Sequence, residues 1–310
     1  GTLTLNKAGT GDLSITGNQN TFTGAINVNE GRLIFSGNGV VPTTAALTLN
    51  NGGTLRLDNT GTNVTDRLAA TAPVTLQGGT FEIAGLSGAA SSEQIAALTF
   101  ATGASTINLI NGGGPGSSTQ LAFNGAIVRT GGGTLNITSS GAGTLGASGD
   151  ASRLLFLSQV AGTIGFMTVD GTNFATYDTA NGVAALTLAA TTNVFDAQAS
   201  QTALDTKFTA ATVNNVLSAN TTVNSLRIEG QGANQFIDLG TTPGNANNFA
   251  VNTGGILLNG SDAFEIKRTA GTGGLISNMN FFVTDPAGVL TVSAPIIGTA
   301  SVNKSGAGTL

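Results

Sequence analysis

Five charged side chains in the first third of the sequence have types and spacing that suit acid/base chemistry. Asp58 and Asp66 form a carboxylate pair, Glu82 follows about one repeat unit later, and Arg56 or Arg67 supplies a basic partner. Paired carboxylates of this kind cleave glycosidic bonds by general acid and base catalysis. The alternative is that these residues are solvated turn carboxylates, which keep strand edges soluble. We favour this alternative and predict no catalytic residue.

The residue inventory excludes much other chemistry. The chain has no His and no Cys, so it can form neither a Ser-His-Asp nor a Cys-His nucleophile system, nor a metal site with imidazole or thiolate ligands. "GTASVNKSG" at 298–306 partly matches a phosphate-binding loop, but Asn303 precedes Lys304 and a strand pattern follows instead of a helix. Asp58 and Asp170 suit Asx-turns better than calcium sites. We therefore predict no metal and no cofactor.

Composition points to an export-type β protein without nucleic-acid affinity. The chain has 310 residues, of which 40% are hydrophobic, only 9% are charged and 46 are Gly. Ordinary soluble domains have about 25% charged residues. With a net charge of −5 and eleven scattered Lys and Arg, binding to nucleic acid is excluded as a main function. The longest apolar stretch, "GVAALTLAA" at 182–190, is too short for a transmembrane helix.

Short runs of alternating apolar and polar residues recur along the chain, each bounded by Gly, Asn or Asp. They are "TLTLN" (2–6), "DLSIT" (12–16), "AINVN" (25–29), "RLIF" (32–35), "ALTLN" (46–50), "TLRLD" (54–58), "PVTLQ" (73–77), "TFEIA" (80–84), "STINLI" (105–110), "TLNIT" (134–138), "SLRIE" (225–229) and "VLTVSA" (289–294). Alternation over four to six residues predicts half-buried strands.

The spacing of these runs favours a solenoid over a closed barrel. "NGGTLRL" at 51–57 and "QGGTFEI" at 77–83 repeat one motif at an offset of 26 residues, the size of one coil. We predict an all-β, right-handed parallel β-helix of 13 to 15 coils, with about 20 to 25 residues per coil. Phe35, Phe81, Phe100 and Phe123 are expected in its interior, and consecutive Phe281 and Phe282 on opposite sides of one strand.

One segment departs from this pattern. Residues 195–217, "FDAQASQTALDTKFTAATVNNVL", are rich in Ala and contain several helix-forming residues. We predict either a short helix or an irregular insert at this place. The remaining chain is expected to form a single continuous β-helix over residues 1–310.

The opening stretch, "NKAGTGDLSITGNQNTFTGAINVNEGRLIF" at 6–35, resembles the autotransporter-associated β-strand repeat, also called the passenger-associated transport repeat, of large bacterial surface proteins. The resemblance rests on Lys7, Gly9, Gly11, Leu13, Ile15, Gly17, Asn20, Phe22, Gly24, Val28, Gly31 and Leu33. "NKSGAGTL" at 303–310 begins the pattern again, so that residues 1–35 and 298–310 are in the same phase, 297 residues apart.

The resemblance implies a structural, non-enzymatic protein that is secreted or exposed on a bacterial cell surface. We expect a rigid stalk or fibre segment of a longer protein. Its partners would be copies of itself or neighbouring repeats of one long chain, stacked end to end through β-ladders. Two alternatives remain open: a β-helix that binds or cleaves polysaccharide, and an adhesin passenger. Surface glycans are therefore also candidate partners.

Overall fold

The computed structural model describes residues 3–19, 21–44, 46–188, 201–209, 215–229, 235–276, 279–298 and 301–310. The regular elements within these residues are all strands, and the predicted all-β parallel solenoid is confirmed. The stacked parallel strands form about 9 turns. The chain divides into two compact units, the first comprising Gly1–Gly162 with Ala175–Ala185 and the second Thr163–Phe174 with Leu186–Leu310.

Unit 1 contains three columns of parallel strands. Its strands are β1 (Leu5–Lys7), β2 (Asp12–Ile15), β3 (Ile26–Val28), β4 (Gly31–Phe35), β5 (Leu47–Asn50), β6 (Gly53–Asp58), β7 (Val74–Gln77), β8 (Thr80–Ala84), β9 (Ala90–Ile95), β10 (Leu98–Phe100), β11 (Ala104–Ile110), β12 (Ser118–Phe123), β13 (Val128–Arg129), β14 (Thr134–Ser140) and β15 (Ser152–Phe156). The order is β1-β3-β5-β7-β10-β13 in the first column, β2-β4-β6-β8-β11-β14 in the second and β9-β12-β15 in the third.

The core of unit 1 follows from the register between turns. In the second column Leu33, Leu55, Phe81, Ile107 and Ile137 lie directly above one another, and all five are fully buried. Each such side chain contributes about 1.5 to 3 kcal/mol by leaving water. The predicted interior aromatic residues, Phe35, Phe81, Phe100 and Phe123, are likewise buried.

A hairpin closes the last turn of unit 1. Next along the chain come β16 (Gly162–Val169), nearly all of which belongs to unit 2, then β17 (Asn173–Asp178) and β18 (Gly182–Ala185), and β17 pairs antiparallel with β18. The Tyr177 hydroxyl accepts a hydrogen bond from the Phe156 N–H at 2.9 Å and donates one to the Phe156 carbonyl at 2.7 Å. Since β15 is the last strand of its column, Tyr177 pairs backbone groups at a sheet edge.

Unit 2 repeats the parallel arrangement. Its strands are β19 (Gln201–Thr209), β20 (Thr221–Glu229), β21 (Gln235–Asp238), β22 (Phe249–Asn259), β23 (Ala263–Lys267), β24 (Leu275–Ile276), β25 (Met279–Val283), β26 (Val289–Val292), β27 (Ile296–Ile297) and β28 (Val302–Ser305). One sheet has the order β19-β20-β22-β24-β27, with β25 between β22 and β28, and a second sheet has the order β21-β23-β26.

The helix predicted within 195–217 is wrong for residues 201–209, which form strand β19, parallel to β20. Burial of Phe208 in the core and backbone pairing with β20 outweigh the weak helix propensity of the Ala, Gln and Lys residues. The other residues of that range, apart from 215–217, lie outside the described part of the chain.

The predicted number of 13 to 15 coils is also wrong, because the coils are longer than expected. The step from Leu5 to Ile26 takes 21 residues, but the step from Leu47 to Val74 takes 27. The prediction of one continuous β-helix over 1–310 stays a prediction. No helix long and apolar enough to cross a membrane occurs among the described residues.

Consecutive Phe281 and Phe282 lie on opposite sides of β25, as predicted. Phe281 is part of the main core of unit 2. Phe282 packs against Leu257 and edge-on against Phe174, with ring centroids 6.0 Å apart. Both rings are therefore buried, one inside the solenoid and one beneath a neighbouring segment of the same unit.

Candidate functional site

Lys7 is a charged side chain at an interior position. It follows Leu5 in β1 and aligns in register with Val28 of the next turn, which is fully buried. Its Nζ donates hydrogen bonds to the carbonyls of Ala8 (2.9 Å), Gly9 (2.5 Å) and Glu30 (2.9 Å), and the residue is only 6% exposed. An ammonium has three N–H donors, and here each has a carbonyl acceptor. The charge is thus held in a turn where two successive coils meet.

Gly31 explains why the glycines of the repeat are needed beside this lysine. Its φ is +65°, and a Cβ at this position would lie 2.4 Å from the Gly9 carbonyl, 2.6 Å from the Gly11 carbonyl and 2.8 Å from the Lys7 Nζ. Any side chain would collide with these groups. One turn therefore brings together residues from the start of the repeat motif (Lys7, Gly9 and Gly11) and from its end (Gly31).

Asparagines also join successive coils at or next to the strands β1, β3 and β5. Asn27 Nδ2 donates to Asn6 Oδ1 at 2.9 Å, and Asn50 Nδ2 donates to Asn29 Oδ1 at 2.7 Å. Each bond links two successive coils through their side chains, in addition to the backbone hydrogen bonds between the strands. Asn20, which also belongs to the motif, lies outside the described residues.

The second copy of the motif, in β28, is assembled only in part. Asn303 Nδ2 donates to Asn280 Oδ1 at 3.2 Å, so that an Asn–Asn bond also joins the paired strands β28 and β25 of unit 2. Lys304 aligns with the buried Phe281, yet Lys304 itself is exposed. Within the described structure its Nζ has one carbonyl acceptor, that of Gly306 at 2.5 Å. The two further acceptors that surround Lys7 have no counterpart there among the described residues.

The outermost strands carry exposed apolar side chains. β1 and β2 each end a sheet of unit 1; Leu3, just before β1, is 78% exposed and Leu13, within β2, is 39% exposed. In unit 2, β27 ends its sheet, and among the described strands β28 pairs with β25 alone. The apolar residues exposed there include Ile296 (41%), Ile297 (40%) and Val302 (48%).

Three of the predicted acid/base candidates meet on the outer face of the second column of unit 1. Arg56 Nε binds Asp58 Oδ2 at 3.0 Å, and Arg56 also forms an ion pair with Glu82. Glu82 accepts from Asn108 Nδ2 at 2.7 Å, and Asn108 Oδ1 accepts from the Thr138 hydroxyl at 2.9 Å. The result is a polar chain across four successive turns, in which each charged group has a partner.

Asp58 also forms the predicted Asx-turn. Its Oδ1 accepts from the Thr60 N–H at 3.0 Å and from the Thr60 hydroxyl at 2.6 Å. Burial alone would raise the pKa of Asp58, but the hydrogen bonds from Thr60 and the charge of Arg56 outweigh it and lower the pKa. Asp66 is not part of this group, since its carboxylate accepts from the Gln94 N–H.

Arg67, the last acid/base candidate, is fully buried in unit 1. Its guanidinium donates to the Asn59 side chain at 2.7 Å and to the backbone carbonyls of Gly37, Gly39, Asp58 and Thr62. All three guanidinium nitrogens thus donate hydrogen bonds, both to the loop that contains Arg67 and to the turn at Gly37 and Gly39. No cluster of acidic residues that could hold a metal ion occurs in the described part of the chain.

Glu93 is a buried carboxyl that the sequence pattern did not reveal. It is 1% exposed and accepts from the N–H groups of Arg67 (2.8 Å) and Leu68 (2.9 Å). Burial raises its pKa to about 8, against the lowering effect of these hydrogen bonds and of the Arg67 charge. The only sequence signal is that Glu93 stands on the same face of β9 as the buried Ile95.

Comparison with known proteins identifies the opening repeat. Residues 5–35 match the family model of the passenger-associated-transport-repeat, which confirms the resemblance seen in the sequence. No curated protein and no solved structure matches the chain significantly. The repeat and the β-solenoid together fit a passenger domain of an autotransporter, and the repeat family suggests a secreted or surface protein.

Proposed function

We propose that this chain is a stiff, non-enzymatic stalk segment of a secreted or surface-exposed bacterial protein. In this role, turns built like residues 5–35 stack on one another end to end. Parallel coils held by backbone ladders resist bending because each strand is bonded to both neighbours along the axis.

The proposal rests on the difference between the buried environment of Lys7 and the exposed environment of Lys304. Lys7 is buried because the next coil covers it and supplies the Glu30 carbonyl. Lys304 stands at the equivalent place of the same motif, but it is exposed and has one carbonyl acceptor among the described residues. A further coil on β28 would provide the missing acceptors and cover the apolar Val302.

The side-chain amides favour the same arrangement. Asn6 Oδ1 accepts from Asn27 of the following coil, and Asn303 Nδ2 donates to Asn280 of the preceding coil. An incoming turn in the register of β1 on β28 would pair the Asn6 amide N–H of one copy with Asn303 Oδ1 of another. Since these groups are one donor and one acceptor, head-to-tail stacking is complementary.

Amine labelling tests the stacking directly. The protein is treated with a limiting amount of an N-hydroxysuccinimide ester at low and at high protein concentration, and the lysines are quantified by mass spectrometry. We expect Lys304 to react in dilute protein and to become protected as the protein associates. Lys7 serves as the internal control, because it is buried at any concentration. Equal labelling of Lys304 throughout the concentration range would contradict the proposal.

Two matched variants test whether the protection of Lys304 results from end-to-end assembly. Val302→Lys places a charge on the edge strand β28, whereas Val160→Lys changes a valine that is 77% exposed in a turn of unit 1. Sedimentation velocity and negative-stain electron microscopy should show end-to-end assemblies for the native chain and Val160→Lys, and loss of them for Val302→Lys. Isolated particles for the native chain at every concentration would overturn the proposal.

Two further measurements address location and chemistry. Immunogold labelling of intact source cells should place the protein on the outer surface, and labelling confined to the cell interior would contradict that placement.

Incubation with pectin or alginate should release no new reducing ends or unsaturated products. Their appearance would replace the stalk role with an enzymatic one.

A further inference from the structure

A surface cavity of about 450 Å³ lies on the β21-β23-β26 sheet of unit 2, apart from the strands used for stacking. It is lined mainly by Gln235, Phe236, Ala263, Glu265, Lys267 and Thr291. This set of residues is called the outer groove. Its volume is within the range of about 300 to 1,000 Å³ that is usual for small-molecule sites.

The register of the sheet brings these residues together on its outer face. Phe236 lies beside Glu265, and Glu265 lies beside Thr291. The alternate residues Ile237 and Ile266 point into the core and are fully buried. Phe236 is therefore a partly exposed aromatic residue on a face where the side chains must point to solvent.

Charged and polar side chains lie next to the aromatic ring. The Lys267 ammonium lies 3.7 Å from the centroid of the Phe236 ring, in a cation–π contact. Glu265 Oε1 accepts from the Ser293 hydroxyl at 2.6 Å, which fixes the carboxylate. A ligand that reaches the ring thus also meets a carboxylate acceptor, an ammonium donor and the amide of Gln235.

We infer that the outer groove binds a neutral hexose unit of a polysaccharide. Among the described residues that line the groove, Lys267 and Glu265 are the charged ones and their charges balance, so neither an anionic nor a cationic ligand is favoured. A purely apolar ligand would desolvate Glu265 and Lys267 without offering them partners. A neutral sugar supplies hydroxyls that both donate and accept, together with an apolar C–H face for Phe236. The groove lies on the outside of the sheet, so a polymer chain can lie across it.

Binding is measured by isothermal titration calorimetry on the full chain. The probes are cellohexaose, laminarihexaose, maltohexaose and mannohexaose as neutral ligands, tri-galacturonate as the anionic control and chitosan hexaose as the cationic control. We expect saturable binding of at least one neutral hexaose. Phe236→Ala should weaken that binding about tenfold, as expected for loss of one aromatic contact. Glu265→Gln, which keeps the shape of the side chain, should weaken it several-fold.

Phe22→Ala is the matched control, since Phe22 is a partly exposed phenylalanine of unit 1 that does not line the groove. It should bind like the native chain, and thermal unfolding should show that all variants are folded. The inference is overturned if no neutral hexaose binds saturably, if only a charged probe binds, or if Phe236→Ala binds as well as Phe22→Ala. None of these results affects the stacking experiment, so the two proposals fail or stand separately.

Discussion

The contacts of Lys7 and Gly31 depend on each other. The lysine is stable in the interior because three carbonyls surround its ammonium. One of these carbonyls, that of Gly9, and the ammonium itself can come so close to position 31 only because that residue has no side chain. A buried ammonium without such partners would be strongly unfavourable. The repeat motif is therefore a packing unit: it places one charge and its acceptors at the contact between two coils.

Substitution of Gly31 tests this packing unit. Gly31→Ala should lower the free energy of unfolding by roughly 2 to 4 kcal/mol, because the new Cβ meets the Gly9 carbonyl and φ is positive. Gly61→Ala is the control, since a Cβ at Gly61 meets nothing within 4 Å and its φ carries no such strain. It should change stability by less than about 0.5 kcal/mol. Urea unfolding of both variants makes the comparison, and equal effects would refute the assigned role of Gly31.

Glu93 makes a separate prediction about pH. Its pKa in the folded protein is about 8, above the ordinary value of 4.5, so the folded state binds more protons than the unfolded state between these values. Its contribution to stability is complete below about pH 4.5 and is lost as the pH rises toward 8. We expect the free energy of unfolding to fall by on the order of 3 kcal/mol between pH 5 and pH 8, at about 1.4 kcal/mol per pKa unit.

Glu93→Gln is the control for this pH dependence, because glutamine does not titrate. Urea unfolding of the two proteins at several pH values should show a steep decline for the native chain and a much flatter profile for the variant. The nearest charged groups, Asp66 and Arg67, are retained in both proteins. Parallel profiles would assign the pH dependence to another group.

Among the strands, alternation of apolar and polar residues marked a strand wherever it was recognised, but several strands with a buried apolar face, such as β12, β15 and β23, were not predicted from it. All twelve alternating runs overlap strands, because a parallel solenoid buries one side of each strand and exposes the other. β9, "ASSEQI", was not predicted because two of its buried residues are the polar Ser91 and Glu93, so its sequence does not alternate between apolar and polar residues. The outer groove could not be predicted from the sequence, for a different reason. Phe236 and Glu265 are distant in sequence and become neighbours only through the register of two strands.

The hairpin that closes unit 1 gives a prediction for a single element. Tyr177→Phe removes the hydroxyl that pairs both backbone groups of Phe156 at the edge of β15. Loss of these bonds should cost roughly 2 to 3 kcal/mol. Hydrogen exchange should show faster exchange of the Phe156 amide.

Ser158→Ala is the comparison for this hairpin variant. It removes an exposed hydroxyl contact to the Asn124 carbonyl in the turn that follows β15. We expect it to leave exchange of the Phe156 amide unchanged. If Tyr177→Phe also left that exchange unchanged, the hydroxyl would have no part in closing the unit.

At the scale of the whole molecule, the composition determines what kind of force can drive stacking. Only 9% of the residues are charged, and the net charge of −5 is spread over 310 residues. The apolar side chains exposed at the outer strands are aliphatic, and the exposed polar ones include Asn6, Asp12, which is paired with Arg32, and Lys304. Stacking contacts would therefore be mainly aliphatic contacts and backbone and amide hydrogen bonds. Such contacts are short-ranged and depend little on ionic strength, whereas association through charge complementarity is screened by salt.

We therefore expect end-to-end association to persist, or to strengthen slightly, when NaCl is raised from about 50 mM to about 500 mM, because added salt screens the repulsion between like-charged copies. Sedimentation velocity at both salt concentrations measures this, with Val302→Lys as the variant in which the edge strand carries a charge. Dissociation of the native chain at high salt would mean that ion pairs hold the copies together. The register that places β1 of one copy on β28 of another would then be wrong, since it aligns Lys7 with Lys304 and contains no such pair.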